Sequence, residues 1–259
     1  MSGTVSGTAA VFLTGASSGI GEALARHYAA RGAKLGLVAR RADLLESLAA
    51  SLPGGADTYA ADVRDLGALQ AAAADFTAKH GVPDLVIANA GVSHGTLTEF
   101  AGDADVFRQI LEVNVVGMVN TFQPFVAAMR EAGRGTLAGV ASVAGYRGLP
   151  GAGAYSASKA AAIRYLESLR VELRGAGVRV ATVCPGYIAT PMTARNPYPM
   201  PFIITADDFA RRFARALDAG RDYAVIPWQM GIVAKLLAIL PNAVFDAAFS
   251  RAGRKPRKA

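Results

Sequence analysis

Tyr155 and Lys159 stand four residues apart, with Ser156, Ala157 and Ser158 between them, in a stretch that reads as helix. Residues at i and i+4 share a helix face, so a phenol and an ammonium can meet at one point. A nearby ammonium favours the phenolate and draws a tyrosine down from about 10 toward neutrality. Such a group can give up a proton and take it back. Interconversion of a carbonyl and an alcohol requires that ability. The same spacing also occurs on solvated helix faces, so the remaining residues decide between the two.

A second site of chemistry lies near the amino terminus. An apolar run ends in Thr14, Gly15, Ala16, Ser17, Ser18, Gly19, Ile20 and Gly21, with glycines spaced G-x-x-x-G-x-G. That spacing differs from the G-x-G-x-x-G fingerprint but meets the same demands: a tight turn, close backbone approach, and helix-start N–H groups facing an anion. Its place between a strand and a helix favours a dinucleotide over a bare structural turn. After the next strand come Arg40 and Arg41, where an acid would bind a ribose 2′-hydroxyl. A guanidinium suits a 2′-phosphate instead, so the reading expects NADP(H). The alternative is two solvated arginines opening a helix.

Between these sites, short apolar runs alternate with helical patterns. Strands are expected at residues 10–13, 35–38, 58–60, 85–88, 136–141, 178–184 and 223–226. Helices are expected at 20–31, 43–51, 66–80 and 105–131, the last bent near Pro124, with one more around Tyr155. Continuous apolar strands, each followed by a helix, indicate a parallel sheet covered on both faces. The fold class is therefore α/β, a doubly wound Rossmann-type parallel sheet of seven strands. Residues 1–227 read as one domain, and 228–259 as an amphipathic extension with a basic end that packs on it.

Composition narrows the function classes. Of 259 residues, 52% are hydrophobic and 18% charged, which excludes wholesale disorder. The net charge of +7 includes five cations in the last nine residues, Arg251, Arg254, Lys255, Arg257 and Lys258, so the body carries only +2. A terminal cluster without a recognition motif disfavours nucleic acid. His27, His80 and His94 lack metal-ligand spacing, and no metal is expected. The lone Cys184 reads as a buried thiol in a reducing cytoplasm. Residues 1–7 lack a basic leader, so no secretory signal is expected.

Further segments stand in a set order: Asp62 and Val63 after the third strand, and Asn89, Ala90 and Gly91 after the fourth. Asn114, Ser142, Tyr155 and Lys159 follow, then Pro185, Gly186, Ile188 and Thr190 after the sixth strand. Together with the glycine turn, these resemble the short-chain dehydrogenase/reductase family in its single-domain branch, over residues 10–226. The resemblance implies that Asp62 and Val63 hold the adenine ring. Asn89, Ala90 and Gly91, and the residues from Pro185 to Thr190, would then border the cofactor. Tyr155 would be the acid/base, Lys159 would lower its pKa and bond the nicotinamide ribose, and Ser142 would hold the substrate oxygen. Asn114 would hold a water leading from Lys159 to solvent. A homodimer or homotetramer built through the two long helices is also implied.

The substrate side is expected in the loops 92–100, 145–154 and 192–204. The last reads either as a lid or as a packed loop. Few charges line them, His94 and Arg147 excepted, so an apolar ketone or aldehyde is expected, reduced with NADPH. The oxidative alcohol or hydroxysteroid direction, a 3-oxoacyl carrier-protein reductase, and a non-catalytic nucleotide-sensing scaffold are the alternatives. For the extension, three readings stand: cover over the pocket, subunit interface, or peripheral membrane contact.

Overall fold

Apolar runs without polar alternation become strands buried on both faces. In the computed structural model, which describes residues 9–250 and 253–257, seven such strands form one parallel sheet. Residues 1–7, Arg251 and Lys258 lie outside the described residues.

The chain runs β1 (Ala10–Thr14), α1 (Gly19–Ala30), β2 (Lys34–Ala39), α2 (Ala42–Ser51), β3 (Asp57–Ala60), α3 (Leu66–His80) and β4 (Leu85–Ala88). It continues through α4 (Asp103–Leu111), a π-turn (Glu112–Val116), α5 (Gly117–Ala132), β5 (Thr136–Val140), a 3-10 turn (Val143–Gly145) and α6 (Gly153–Glu172). The last part holds β6 (Arg179–Pro185), β7 (Ile188–Ala189), β8 (Ile204–Thr205), α7 (Ala206–Asp218), β9 (Tyr223–Ile226), α8 (Trp228–Ile239) and α9 (Asn242–Phe249). The large sheet has the order β3-β2-β1-β4-β5-β6-β9, and β7 and β8 pair separately.

The strand order reverses beside β1, between its neighbours β2 and β4. Crossovers leave that point toward opposite faces, so a crevice opens at the carboxyl ends of the strands. Each face has its own apolar cluster. One gathers Leu13, Leu37, Phe209 and Phe213; the other gathers Phe12, Phe76, Phe122 and Phe125. Phe12 anchors the second, its ring 4.8 Å from that of Phe125 and 5.5 Å from that of Phe76.

Two sequence expectations need correction here. The helix expected at 105–131 is interrupted at Glu112–Val116, while Pro124 sits inside an unbroken α5. The interruption belongs to Asn114, whose buried amide is tied to other elements and holds the extra residue of the π-turn. Second, the reading passes over α7, although Thr205 caps it by accepting from Asp208 N (3.1 Å) and Asp207 and Asp208 suit its positive end.

The extension turns through 119° between α8 and α9. Arg147 holds this corner, donating to Leu240 O (3.1 Å) and Asn242 Oδ1 (2.7 Å) and lying over the Phe245 ring. An apolar stripe of α8, comprising Trp228, Ile232, Leu236 and Ile239, is left exposed.

Candidate active site

One cleft runs along the carboxyl ends of the central strands. At its first end, β1 runs into the glycine turn. A Cβ on Gly21 would lie 2.0 Å from Gly15 O, so only glycine lets α1 start this close beneath the loop. Asn89 locks the turn from the neighbouring strand end, its amide donating to Thr14 O (3.1 Å) and Gly15 O (3.2 Å). Ser18, at the N-cap of α1, makes no side-chain capping bond. The first N–H groups of the helix therefore remain available to an anion.

Arg41 closes this end. Its guanidinium donates to Ser17 Oγ and Ser18 Oγ, each at 3.0 Å. One fixed cation and two hydroxyls converge where β2 leaves the sheet, a donor set that fits a phosphate. Arg40 is also exposed and lies 4.0 Å from Asp62 Oδ2. Asp62 is gripped by Arg64 at 3.0 and 2.8 Å. Those bonds hold its carboxyl below the usual range, against the opposing effect of burial. Val63 lies beside it, giving an apolar wall and a polar edge for a flat ring.

The other end holds the proton chemistry. Ser142 follows β5 and accepts from Ala144 N (3.1 Å), which fixes its hydroxyl at the strand end. Tyr155 and Lys159 occupy successive turns of α6, and the Ser142 hydroxyl lies near enough to the Tyr155 phenol to act on its ionisation. Lys159 is 4% exposed. Its Nζ donates to Val140 O (2.9 Å) and stands 5.8 Å from the Tyr155 ring centroid.

Electrostatics here correct the expectation that Lys159 draws the phenol down. Burial pushes Tyr155 above its ordinary value, and the counteracting pull comes from the neighbouring Ser142 hydroxyl. Burial lowers Lys159 to about 8. Two buried groups each disfavour their charged forms, and the ammonium is directed to a carbonyl rather than to the phenol oxygen.

Two of the expected residues do not line the cleft: Gly21 lies beneath the turn and Asn114 behind Gly91. The Asn114 amide nitrogen donates to Val92 O (3.0 Å) and Ser158 Oγ (2.9 Å), and its oxygen accepts from Val92 N (2.8 Å). Both donors are used, and Oδ1 keeps one lone pair. All the other expected residues, including Ile20, Ala90, Pro185, Gly186, Ile188 and Thr190, border the cleft. Met192 and Thr193 join them from the segment read as a lid or packed loop. Thr193 Oγ1 donates to Ile188 O at 2.5 Å, pinning that segment to β7.

The sequence reading does not expect Lys255 beside Tyr155. Its Nζ donates to Ser93 Oγ (2.7 Å) and stands 5.5 Å from the Tyr155 ring centroid, opposite a loop a hundred and more residues away in the chain. In sequence it is one cation of a basic cluster, and nothing local distinguishes it from its neighbours.

Comparison with known proteins places these features. A family model described as short chain dehydrogenase matches residues 9–199. An uncharacterized oxidoreductase of Myxococcus xanthus is 38% identical over 242 residues, covering 92% of this chain and 95% of the relative. Among solved structures, a short chain dehydrogenase from Burkholderia cenocepacia in complex with NADP superposes with a TM-score of 0.80 at 28% identity, covering 93% of this chain and 97% of that one. An actinorhodin polyketide ketoreductase variant with NADPH gives a TM-score of 0.76 at 27% identity, covering 84% and 95%. Likeness that spans most of the chain in both sequence and shape leads to one assignment: the chain belongs to the short chain dehydrogenase family.

Proposed function

We propose that this chain is an NADPH-dependent carbonyl reductase acting on a ketone or aldehyde with an apolar body. The observation that carries the reading is the layout of one cleft, with Arg41, Ser17 and Ser18 gathered at one end and Ser142, Tyr155 and Lys159 at the other. Arg41 with the two serines would hold the 2′-phosphate, Asp62 and Val63 the adenine, and Lys159 the nicotinamide ribose. When bound, NADPH supplies the hydride that reduction adds to the carbonyl carbon.

The protein supplies the rest. Ser142 donates a hydrogen bond to the carbonyl oxygen and holds it beside Tyr155, which delivers its proton to that oxygen as charge develops there. A phenol held above its ordinary value stays protonated at neutral pH, as a donor must. Lys159 stands next in line to return a proton, and Asn114 keeps the neighbouring loop in place.

The reading also places the chain in the cytoplasm, with the unpaired Cys184 buried. It assembles as a homodimer or homotetramer through α5 and α6, where Val119, Val126 and Tyr165 border a shallow groove. The test of function is a spectrophotometric panel of ketones and aldehydes with NADPH. Carbonyl-dependent loss of NADPH absorbance is expected, and its absence across the panel would overturn the reading.

A further inference from the structure

The last described residues return to the active site along a built path. Gly95 N donates to Pro256 O (2.8 Å), and Gly95 bridges Arg257 in parallel. A Cβ on Gly95 would lie 2.2 Å from Lys255 O, so only glycine at this position admits the returning backbone. Arg257 then grips both oxygens of buried Asp103 (2.8 and 3.0 Å), and its guanidinium lies 3.6 Å from the Phe100 ring centroid. Asp103 also accepts from Leu97 N (2.8 Å), so the anchor is fixed to the loop it closes. On the other side, Arg254 packs against Gly151, ahead of α6.

Between these two anchors the Lys255 side chain points inward. Its ammonium reaches Ser93 Oγ and the ring of Tyr155, while Lys159 stands 5.8 Å from the same ring. A serine hydroxyl satisfies one donor but carries no charge, and among the described residues no acid lies within ion-pair distance of Lys255. The nearby Asp103 is already spent on Arg257. A half-buried ammonium without a counter-ion is costly, and an anion brought to it regains that cost. Burial alone lowers Lys255 to about 8, in keeping with the missing acid. The phosphate-binding end of the cleft has its own cation in Arg41, and Lys255 is not among the residues that line that cleft.

We propose that Lys255 is a substrate-binding residue, presented by the folded-back tail to pair with a carboxylate carried a few bonds from the carbonyl that Tyr155 protonates. The substrate class is thus a keto acid with an apolar body. This rests on the reductase reading and narrows it.

The experiment compares acetoacetate and levulinate with their methyl esters as substrates for the full chain and for its Lys255→Met and Lys255→Arg variants. Binding of levulinate to the NADP⁺-loaded protein is measured in parallel by calorimetry. The wild-type chain should favour the acids in kcat/KM. The methionine variant should lower the acid-to-ester ratio by about tenfold or more, and the arginine variant should keep most of it. Levulinate binding should weaken in step. An acid-to-ester ratio unchanged by Lys255→Met, or levulinate binding that is absent or insensitive to it, overturns the proposal. Levulinate binding that depends on Lys255, without NADPH oxidation by any carbonyl, would instead overturn the reductase reading and leave the anion site standing.

Discussion

At the scale of the residue, Tyr155 is set by burial more than by its neighbour. The phenol sits above its ordinary value and the Lys159 ammonium below its own. For reduction, the proton must be on Tyr155 at the start. Tyr155 should therefore bring no fall in rate through neutrality, and the first decline should come near pH 8, where Lys159 loses its charge. Oxidation of the alcohol needs the proton absent, so it should rise with pH from about pH 6 to about pH 9. Initial rates in both directions across that range check this, and a reduction rate that falls through neutrality would contradict it. Arg41 carries a second prediction. Arg41→Ala should lower kcat/KM for NADPH about tenfold or more, the scale of one charged hydrogen bond, and leave NADH nearly unaffected.

What sequence revealed at this scale follows from what is local. The glycine turn, the arginines after β2 and the i, i+4 pair are short-range patterns with a chemical meaning. The direction of the Tyr155 shift is not, because it depends on how much water the fold removes. Lys255 was illegible for another reason: its meaning comes from Ser93 and Tyr155, far away in the chain.

Among the elements, the π-turn between α4 and α5 is the joint on which the site depends. Asn114 ties it to the segment after β4 through Val92 and to α6 through Ser158. Removing that amide strands a backbone N–H and a carbonyl in a buried place. Asn114→Ala should cost about 2–3 kcal/mol of stability, read from urea unfolding, together with a fall in turnover. The strands and most helices were legible because apolar runs and helical periodicity are local. The position of the break was not. Pro124 draws attention as a helix breaker, yet α5 absorbs it, while three hydrogen bonds from Asn114 set the break elsewhere.

At the scale of the whole molecule, the extension uses its two ends differently. Its final residues pack on the substrate loops, and α8 leaves Trp228, Ile232, Leu236 and Ile239 exposed on one side. A stripe of that kind, at helical spacing, marks a contact surface. The account expects a second copy of the chain to cover it. With α5 and α6 holding one pair of copies and α8 a second pairing, light scattering should give the mass of a tetramer, and Leu236→Glu with Ile239→Glu should reduce it to that of a dimer. Co-sedimentation of the wild-type chain with anionic vesicles would contradict this assignment and favour the membrane.

The most direct test of the central claim is the Tyr155→Phe variant, assayed for NADPH-dependent carbonyl reduction and for NADPH binding on the same sample. The ring and its packing remain while the transferable proton is gone. The account predicts a loss of about a hundredfold or more in kcat, with NADPH binding essentially retained. Turnover close to that of the wild-type chain would contradict it.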